Sequence, residues 1–187
     1  MKIAHELSVK QPPESVWSFF QQIPDVADCL PGAELTESAD DGTYRGTVTT
    51  RLGPMTARFE GTARVDADPD SMSATMEGRG VDRAGGSRGG VKVNYVISPA
   101  PEGSLVQIAA DISLSGAIAQ FGRTGLVKEM SNRLIGEFVL CLEGKLAAGS
   151  ASEAAAVKAR EVRGVSLLLG SLWSWLRTLA RRVFRRA

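Results

Sequence analysis

The segment from Ile118 to about Leu146 constrains the fold most, because no other stretch of the first 147 residues sustains helical period over so many turns. Apolar residues recur there at helical spacing: Phe121, Leu126, Val127, Met130, Leu134, Ile135, Phe138, Cys141, Leu142 and Leu146. Lys128, Glu129, Asn132, Arg133, Glu137, Glu143 and Lys145 fall mostly between them. This pattern predicts one long helix that buries a broad face. Most of the preceding chain alternates with period two, so the surface that receives the helix is a sheet.

The sheet is legible strand by strand. Ile3, Leu7 and Val9 mark a first strand. Pro12, Pro13 and Glu14 then start a helix that carries Val16, Trp17 and Phe20 on one face. Pro24 stops it, and Asp25 to Leu30 gives another short helical turn before the Pro31-Gly32 breaker. From Glu34 to Leu114 strands and turns follow, with turn signals at Asp40-Asp41-Gly42 and Gly53-Pro54. Met55, Ala57, Phe59, Gly61, Ala63 and Val65 form one face of a nearly perfect alternation, with Thr56, Arg58, Glu60, Thr62 and Arg64 on the other. A strand over Ser73–Val81 follows, with Met72, Ala74 and Met76 on its inner side. Two more carry Val91, Val93, Tyr95, Ile97 and then Val106, Ile108, Ala110, Ile112, Leu114. One strand, two short helices, about six antiparallel strands and a long helix make an α+β domain with a meander sheet. The inner faces mix flexible Met55, Met72 and Met76 with small Gly46, Ala57, Gly61, Ala63, Ala74 and Ala110. Small residues under a helix leave space, and methionine adapts to irregular apolar shapes. The same mixture also fits a tightly packed core, and composition leaves both open.

The rest of the chain divides by composition. Residues 148–164 are small and polar, as in a flexible linker, with helix as the alternative over Glu153 to Val162. Residues 165–187 read as an amphipathic basic helix. Leu169, Leu172, Trp173, Leu176, Leu179 and Phe184 share one side, and Arg177, Arg181, Arg182, Arg185 and Arg186 share the other. Trp175 joins Trp173 as a residue suited to the headgroup boundary, and each arginine near anionic lipid contributes about 1 kcal/mol. The expectation is a peripheral membrane-binding helix, with docking on the domain or on a partner protein as the alternatives. The run from Val165 to Leu176 is too short to span a bilayer. The start of the chain lacks the apolar run of a secretory signal.

Several chemistries find little support. His5 is the single histidine, so neither a catalytic triad nor a histidine-rich metal site is expected, and a structural or exposed role is. Cys29 and Cys141 form no CxxC, do not make a disulfide framework, and suit a reduced cytosolic setting. Asp25, Asp28, Asp40 and Asp41 read as solvated loop charges. The glycines of residues 78–81 and 85–90 join no strand to a helix as a phosphate loop would, and are expected to serve turn and edge geometry. A net charge of +1 gives no sign of a nucleic-acid partner. No catalytic cluster emerges, so no enzyme activity, metal or covalent cofactor is expected.

Five stretches together carry a resemblance: Pro13-Glu-Ser-Val-Trp17, Asp28-Cys-Leu-Pro-Gly32, Gly42-Thr-Tyr-Arg-Gly46, Gly53-Pro54 with Phe59-Glu-Gly61, and Ser115-Gly-Ala-Ile-Ala-Gln-Phe-Gly122. In order and spacing, residues 1–147 resemble the CoxG family of carbon monoxide dehydrogenase subunits. That family is similar to the START/polyketide-cyclase (SRPBCC) superfamily. The resemblance implies a helix-grip fold, in which a curved sheet wraps a long C-terminal helix over a hydrophobic cavity. It also implies a molybdenum carbon monoxide dehydrogenase as partner, at the cytoplasmic face of the membrane. The dehydrogenase passes electrons to a respiratory acceptor, and quinones reside in the bilayer. A lipophilic quinone, most plausibly menaquinone, is therefore the expected ligand. Trp17, Leu30, Met55, Phe59, Met76, Tyr95, Phe121, Met130, Leu134 and Phe138 are the candidate lining, and the Tyr95 hydroxyl is a candidate donor to a quinone carbonyl. A ligand-free membrane tether is the competing expectation, and a cyclase or hydrolase of small hydrophobic substrates the third.

Overall fold

A computed structural model describes residues 1–39, 41–52, 55–123, 126–148 and 151–159. The expected tail helix over 165–187 lies outside them, as do residues 160–164. Seven strands form a single antiparallel sheet: β1 (Lys2–Val9), β2 (Ala33–Ser38), β3 (Thr43–Leu52), β4 (Met55–Asp68), β5 (Ser73–Asp82), β6 (Ser87–Ala100) and β7 (Gly103–Ser115). Their order across the sheet is β1-β7-β6-β5-β4-β3-β2. Consecutive hairpins build the meander, and the first strand closes it by pairing with the last. Helices α1 (Pro13–Gln21) and α2 (Ile23–Asp28) follow β1. A 3-10 helix over Gly116–Arg123 leads to α3 (Leu126–Ala147), and α4 (Ala151–Ala156) comes after it.

The single helix expected from Ile118 is thus two elements. Gly122 lies at the end of the first, and glycine is a poor helix residue. Met72 also departs from expectation. It sits in the β4–β5 turn with φ 44°, ahead of the strand it was assigned to.

Among the described residues, the larger of two core clusters lies at one end of the sheet, and a smaller one joins Ala57 and Ile118 beside Met130. Val9, Val16, Phe19, Phe20, Tyr95, Ile97, Val106, Phe138 and Leu142 are buried in the larger one. Phe20 stacks within 4.8 Å of Tyr95 and 5.7 Å of Phe138, and Phe19 meets Phe138 at 6.5 Å. Helix α3 therefore has two regimes. Its C-terminal half buries Phe138, Cys141, Leu142 and Lys145, whereas Val127, Met130, Ser131 and Leu134 in the N-terminal half stay partly accessible.

Two further ties hold the packed half, and both correct the sequence reading. Cys29 and Cys141 are joined as a disulfide that links the end of α2 to α3 across 112 residues. They are 0% and 4% exposed, so the bond is shielded from external thiols. Proximity of two cysteines so far apart in sequence is a property of the folded chain, and spacing does not reveal it. Asp25 and Asp28 are likewise not simply solvated. The buried Lys145 amine lies 2.6 Å from an Asp25 oxygen and 3.3 Å from an Asp28 oxygen. Nor is all of residues 148–164 a free linker. Val157 packs against α3, the Ala159 amide donates to the Asp28 carbonyl at 3.1 Å, and Lys158 reaches Asp28 at 3.5 Å.

The hollow half has its origin in strand register. Leu35 pairs with Gly46, Gly46 with Gly61, Gly61 with Gly80, Gly80 with Gly89, and Gly89 with Leu114. Four strands in succession therefore present no side chain at one level of the inner face. The absent side chains also let the strands bend together. A Cβ on Gly61 would collide with the Arg79 carbonyl oxygen, whereas one on Gly89 would meet only the Phe59 and Leu114 side chains, at 3.5 and 3.8 Å.

Urea unfolding checks both constraints. Gly61→Ala is expected to lower stability by about 1–3 kcal/mol, because backbone must move. Gly89→Ala should be neutral or slightly stabilising, by up to about 1 kcal/mol. Replacing the disulfide with Cys29→Ala/Cys141→Ala should cost about 2–5 kcal/mol, as expected for opening a long covalent loop.

Candidate functional site: an apolar cavity over a glycine floor

Between the N-terminal half of α3 and the sheet lies a cavity of about 500 Å³. Its floor is the row Leu35, Gly46, Gly61, Gly80, Gly89 and Leu114, with Ala63, Gly78, Val91 and Ile112 one step along the strands. Val127, Met130, Ser131 and Leu134 of α3 form the roof, and Ile118 of the 3-10 helix closes one side. Ile23, Val26, Ala27 and Leu30, from α2 and the residues after it, form another wall. Helix α2 fully buries none of its own side chains, and it is held in place by half-buried Val26 on the core, by the Cys29–Cys141 bond and by Lys145. The opening is marked by two large apolar residues that line the cavity and still meet solvent: Leu30, 40% exposed, and Val48, 49% exposed.

Charged residues at the wall do not place charge inside it. Arg45 and Arg79 occupy outward positions of β3 and β5, between inward Tyr44 and Gly46 and inward Gly78 and Gly80. Glu34 is engaged outside by Arg58 at 3.6 Å and by the Thr47 hydroxyl at 3.3 Å. The polar side chains on inward positions are Tyr44 and Thr50 of β3 and Ser131 of α3. Such a wall solvates apolar matter and offers little to an ion.

Of the ten lining residues expected from sequence, five line the cavity, four lie elsewhere and one is outside the described side chains. Leu30, Phe59, Met76, Met130 and Leu134 line the cavity. Trp17, Tyr95 and Phe138 instead belong to the packed aromatic cluster, where Trp17 meets Tyr95 at 6.4 Å. Met55 starts β4 away from the cavity wall, and the Phe121 side chain lies outside the described residues. The Tyr95 hydroxyl is thus no donor to a cavity ligand. It is buried without a hydrogen bond of normal geometry, with Gln21 its neighbouring polar side chain, and burial pushes its pKa up to about 12.

Sequence reasoning missed α2 beyond Leu30, and it missed the glycines. Gly78, Gly80, Gly89 and Gly90 are cavity wall, not turn, although Gly85 and Gly86 do serve the β5–β6 turn. Alternation carried through Met76, Gly78 and Gly80, and through Gly89 and Val91, was the signal available. Among the described residues no three His, Cys, Asp or Glu side chains converge as a metal site requires. No helix among them is long and apolar enough to cross a membrane.

Comparison with known structures agrees with this architecture. A conserved protein from Geobacillus kaustophilus is similar with a TM-score of 0.68 at 16% identity, over 79% of this chain and 95% of that one. A protein from Thermus thermophilus is similar with a TM-score of 0.60 at 17% identity, over 80% and 100%. The ZhuI aromatase/cyclase from Streptomyces sp. R1128 is similar with a TM-score of 0.58 at 16% identity, over 80% and 98%. Likeness at these identities shows the fold, which is the START-like helix-grip. No curated protein matches the chain by sequence. The family model for the carbon monoxide dehydrogenase subunit CoxG matches residues 6–147, from β1 to the last residue of α3. The chain therefore belongs to the CoxG family, whose name ties it to carbon monoxide dehydrogenase as an accessory protein.

Proposed function

We propose that this protein takes a lipophilic quinone, menaquinone, from the membrane and delivers it to a molybdenum carbon monoxide dehydrogenase without changing it chemically. The observation that carries this reading is the cavity: about 500 Å³, almost wholly apolar, and open at Leu30 and Val48. Its size falls in the range of roughly 300–1,000 Å³ usual for small-molecule sites. Burial of an aromatic head and isoprenoid carbons there is favoured by about 25 cal/mol per Å² of apolar area. Family membership supplies the dehydrogenase, and the dehydrogenase's need for an electron acceptor supplies the quinone.

The tail gives the membrane half of the proposal. Residues 165–187 combine five arginines with Leu169, Leu172, Trp173, Trp175, Leu176, Leu179 and Phe184, the composition of a helix lying in the lipid interface. Placement at the cytoplasmic side of the membrane completes the reading, and the buried position of the disulfide is compatible with it.

Organic extraction of the purified full-length chain, followed by mass spectrometry, is expected to release a quinone. Ala63→Phe, which projects a ring from the cavity floor, should lose it while remaining folded. Recovery of phospholipid alone, or of nothing, would sink the carrier reading and favour a ligand-free tether. Truncation before Val165 should abolish co-sedimentation with anionic liposomes, and unchanged co-sedimentation would remove the tail from the proposal.

A further inference from the structure

One polar contact at the cavity remains without a role. The His5 Nε2 atom lies 2.7 Å from the Ser131 Oγ atom, joining β1 to α3 across 126 residues. His5 occupies an inward position on β1, between buried Ile3 and Leu7, and both partners of the contact are partly buried. Ser131 itself lines the cavity roof. The other inward polar residues of the wall, Tyr44 and Thr50, are on β3, near the opening at Val48. Ser131 stands toward the opposite edge, where β1 pairs with β7. The glycine floor runs between these two sides. From β2 to β7 it crosses five strand intervals, roughly 24 Å along the sheet. The cavity is thus an apolar slot with its opening at one side and an oriented hydroxyl toward the other.

We propose that Ser131, oriented by His5, is the contact that recognises the oxygen function of the cavity's ligand. The assignment deepens the carrier reading above and rests on it for the identity of the ligand. Its chemistry follows from the two tautomers of neutral imidazole. With the proton on Nε2, His5 donates to Ser131 Oγ, and the serine hydroxyl is free to donate to a ligand carbonyl. With the proton on Nδ1, Nε2 accepts the serine proton, and Oγ accepts from a ligand hydroxyl. One pair therefore serves an oxidised carbonyl or a reduced hydroxyl without moving backbone. An apolar wall makes the choice matter, because a carbonyl or hydroxyl buried there has few other partners. Ser131 is the recognition residue, and His5 is a positioning residue that acts through it.

Equilibrium dialysis of the full chain against menadione, 2-naphthol and 2-methylnaphthalene tests the assignment. These probes share a fused ring and differ in carrying carbonyls, a hydroxyl, or no oxygen. The preference for each oxygenated probe over the hydrocarbon is expected to fall about fivefold in Ser131→Ala. It should stay near the parent value in Ser131→Thr, which keeps the hydroxyl. His5→Leu should produce much of the same loss, and adding it to Ser131→Ala should produce little more. An unchanged preference in Ser131→Ala would overturn the assignment even if quinone is extracted from the protein. A Ser131-dependent preference in a protein that yields no quinone would keep the assignment and retire the quinone. Failure of the parent chain to bind any of the three probes would overturn both.

Discussion

Cross-strand register brings Gly46, Gly61, Gly80 and Gly89 level on four neighbouring strands, and the cavity follows from the side chains missing there. A sheet with a full inner face would meet α3 along its whole length. Here the helix buries side chains fully only toward its C-terminal half, where Phe19, Phe20, Tyr95 and Phe138 interlock, and it meets the sheet more sparsely toward its N-terminal half, through Met130 and Ser131. The same glycines permit the close backbone approach that bends the strands, as the Gly61–Arg79 contact shows. Curvature and hollow therefore have one cause. Neither can be altered at Gly61 without altering the other, whereas Ala63 already tolerates a Cβ and separates them.

An empty half needs a rigid half beside it. Helix α2 contributes cavity wall and fully buries none of its side chains, and half-buried Val26 is its contact with the main core. A covalent bond from Cys29 and the ion pairs of Lys145 with Asp25 and Asp28 add to that hold. A buried ammonium costs desolvation that its partners must offset, and two carboxylates within hydrogen-bond distance provide that. Val157 and the residues after it then cover the junction. Polar and covalent ties at one end of α3 thus keep the wall in place at the other end, where apolar contacts are few.

How much of this was legible in the sequence depends on the range of the signal. Period two along Met55–Val65 and helical period along Leu126–Leu146 are local, and they specified the elements and the fold class. Phe59 and Met76 follow from the inner-face alternation of the strands, and Met130 and Leu134 from the apolar face of the long helix. Trp17, Tyr95 and Phe138 were assigned to the same wall on size and apolarity, which do not say which half of α3 a residue meets. That distinction needs register, a relation between strands many residues apart. The glycine row is invisible for the same reason, since Gly78 and Gly80 look like punctuation until Gly61 and Gly89 stand beside them. Cys29–Cys141 and His5–Ser131 are distances in space between residues more than 100 positions apart, and no local pattern encodes them.

The covalent link also decides how the domain carries load. Any tension applied through the chain beyond residue 159 enters at the C-terminal end of α3, beside Cys141. From there the disulfide routes it directly into α2. The ladder of strands β2 to β7, which lies between the two cysteines in sequence, is bypassed by that route. A domain tugged from its C-terminal side would therefore transmit the pull through its packed end, and the mouth and floor of the slot would stay mechanically quiet.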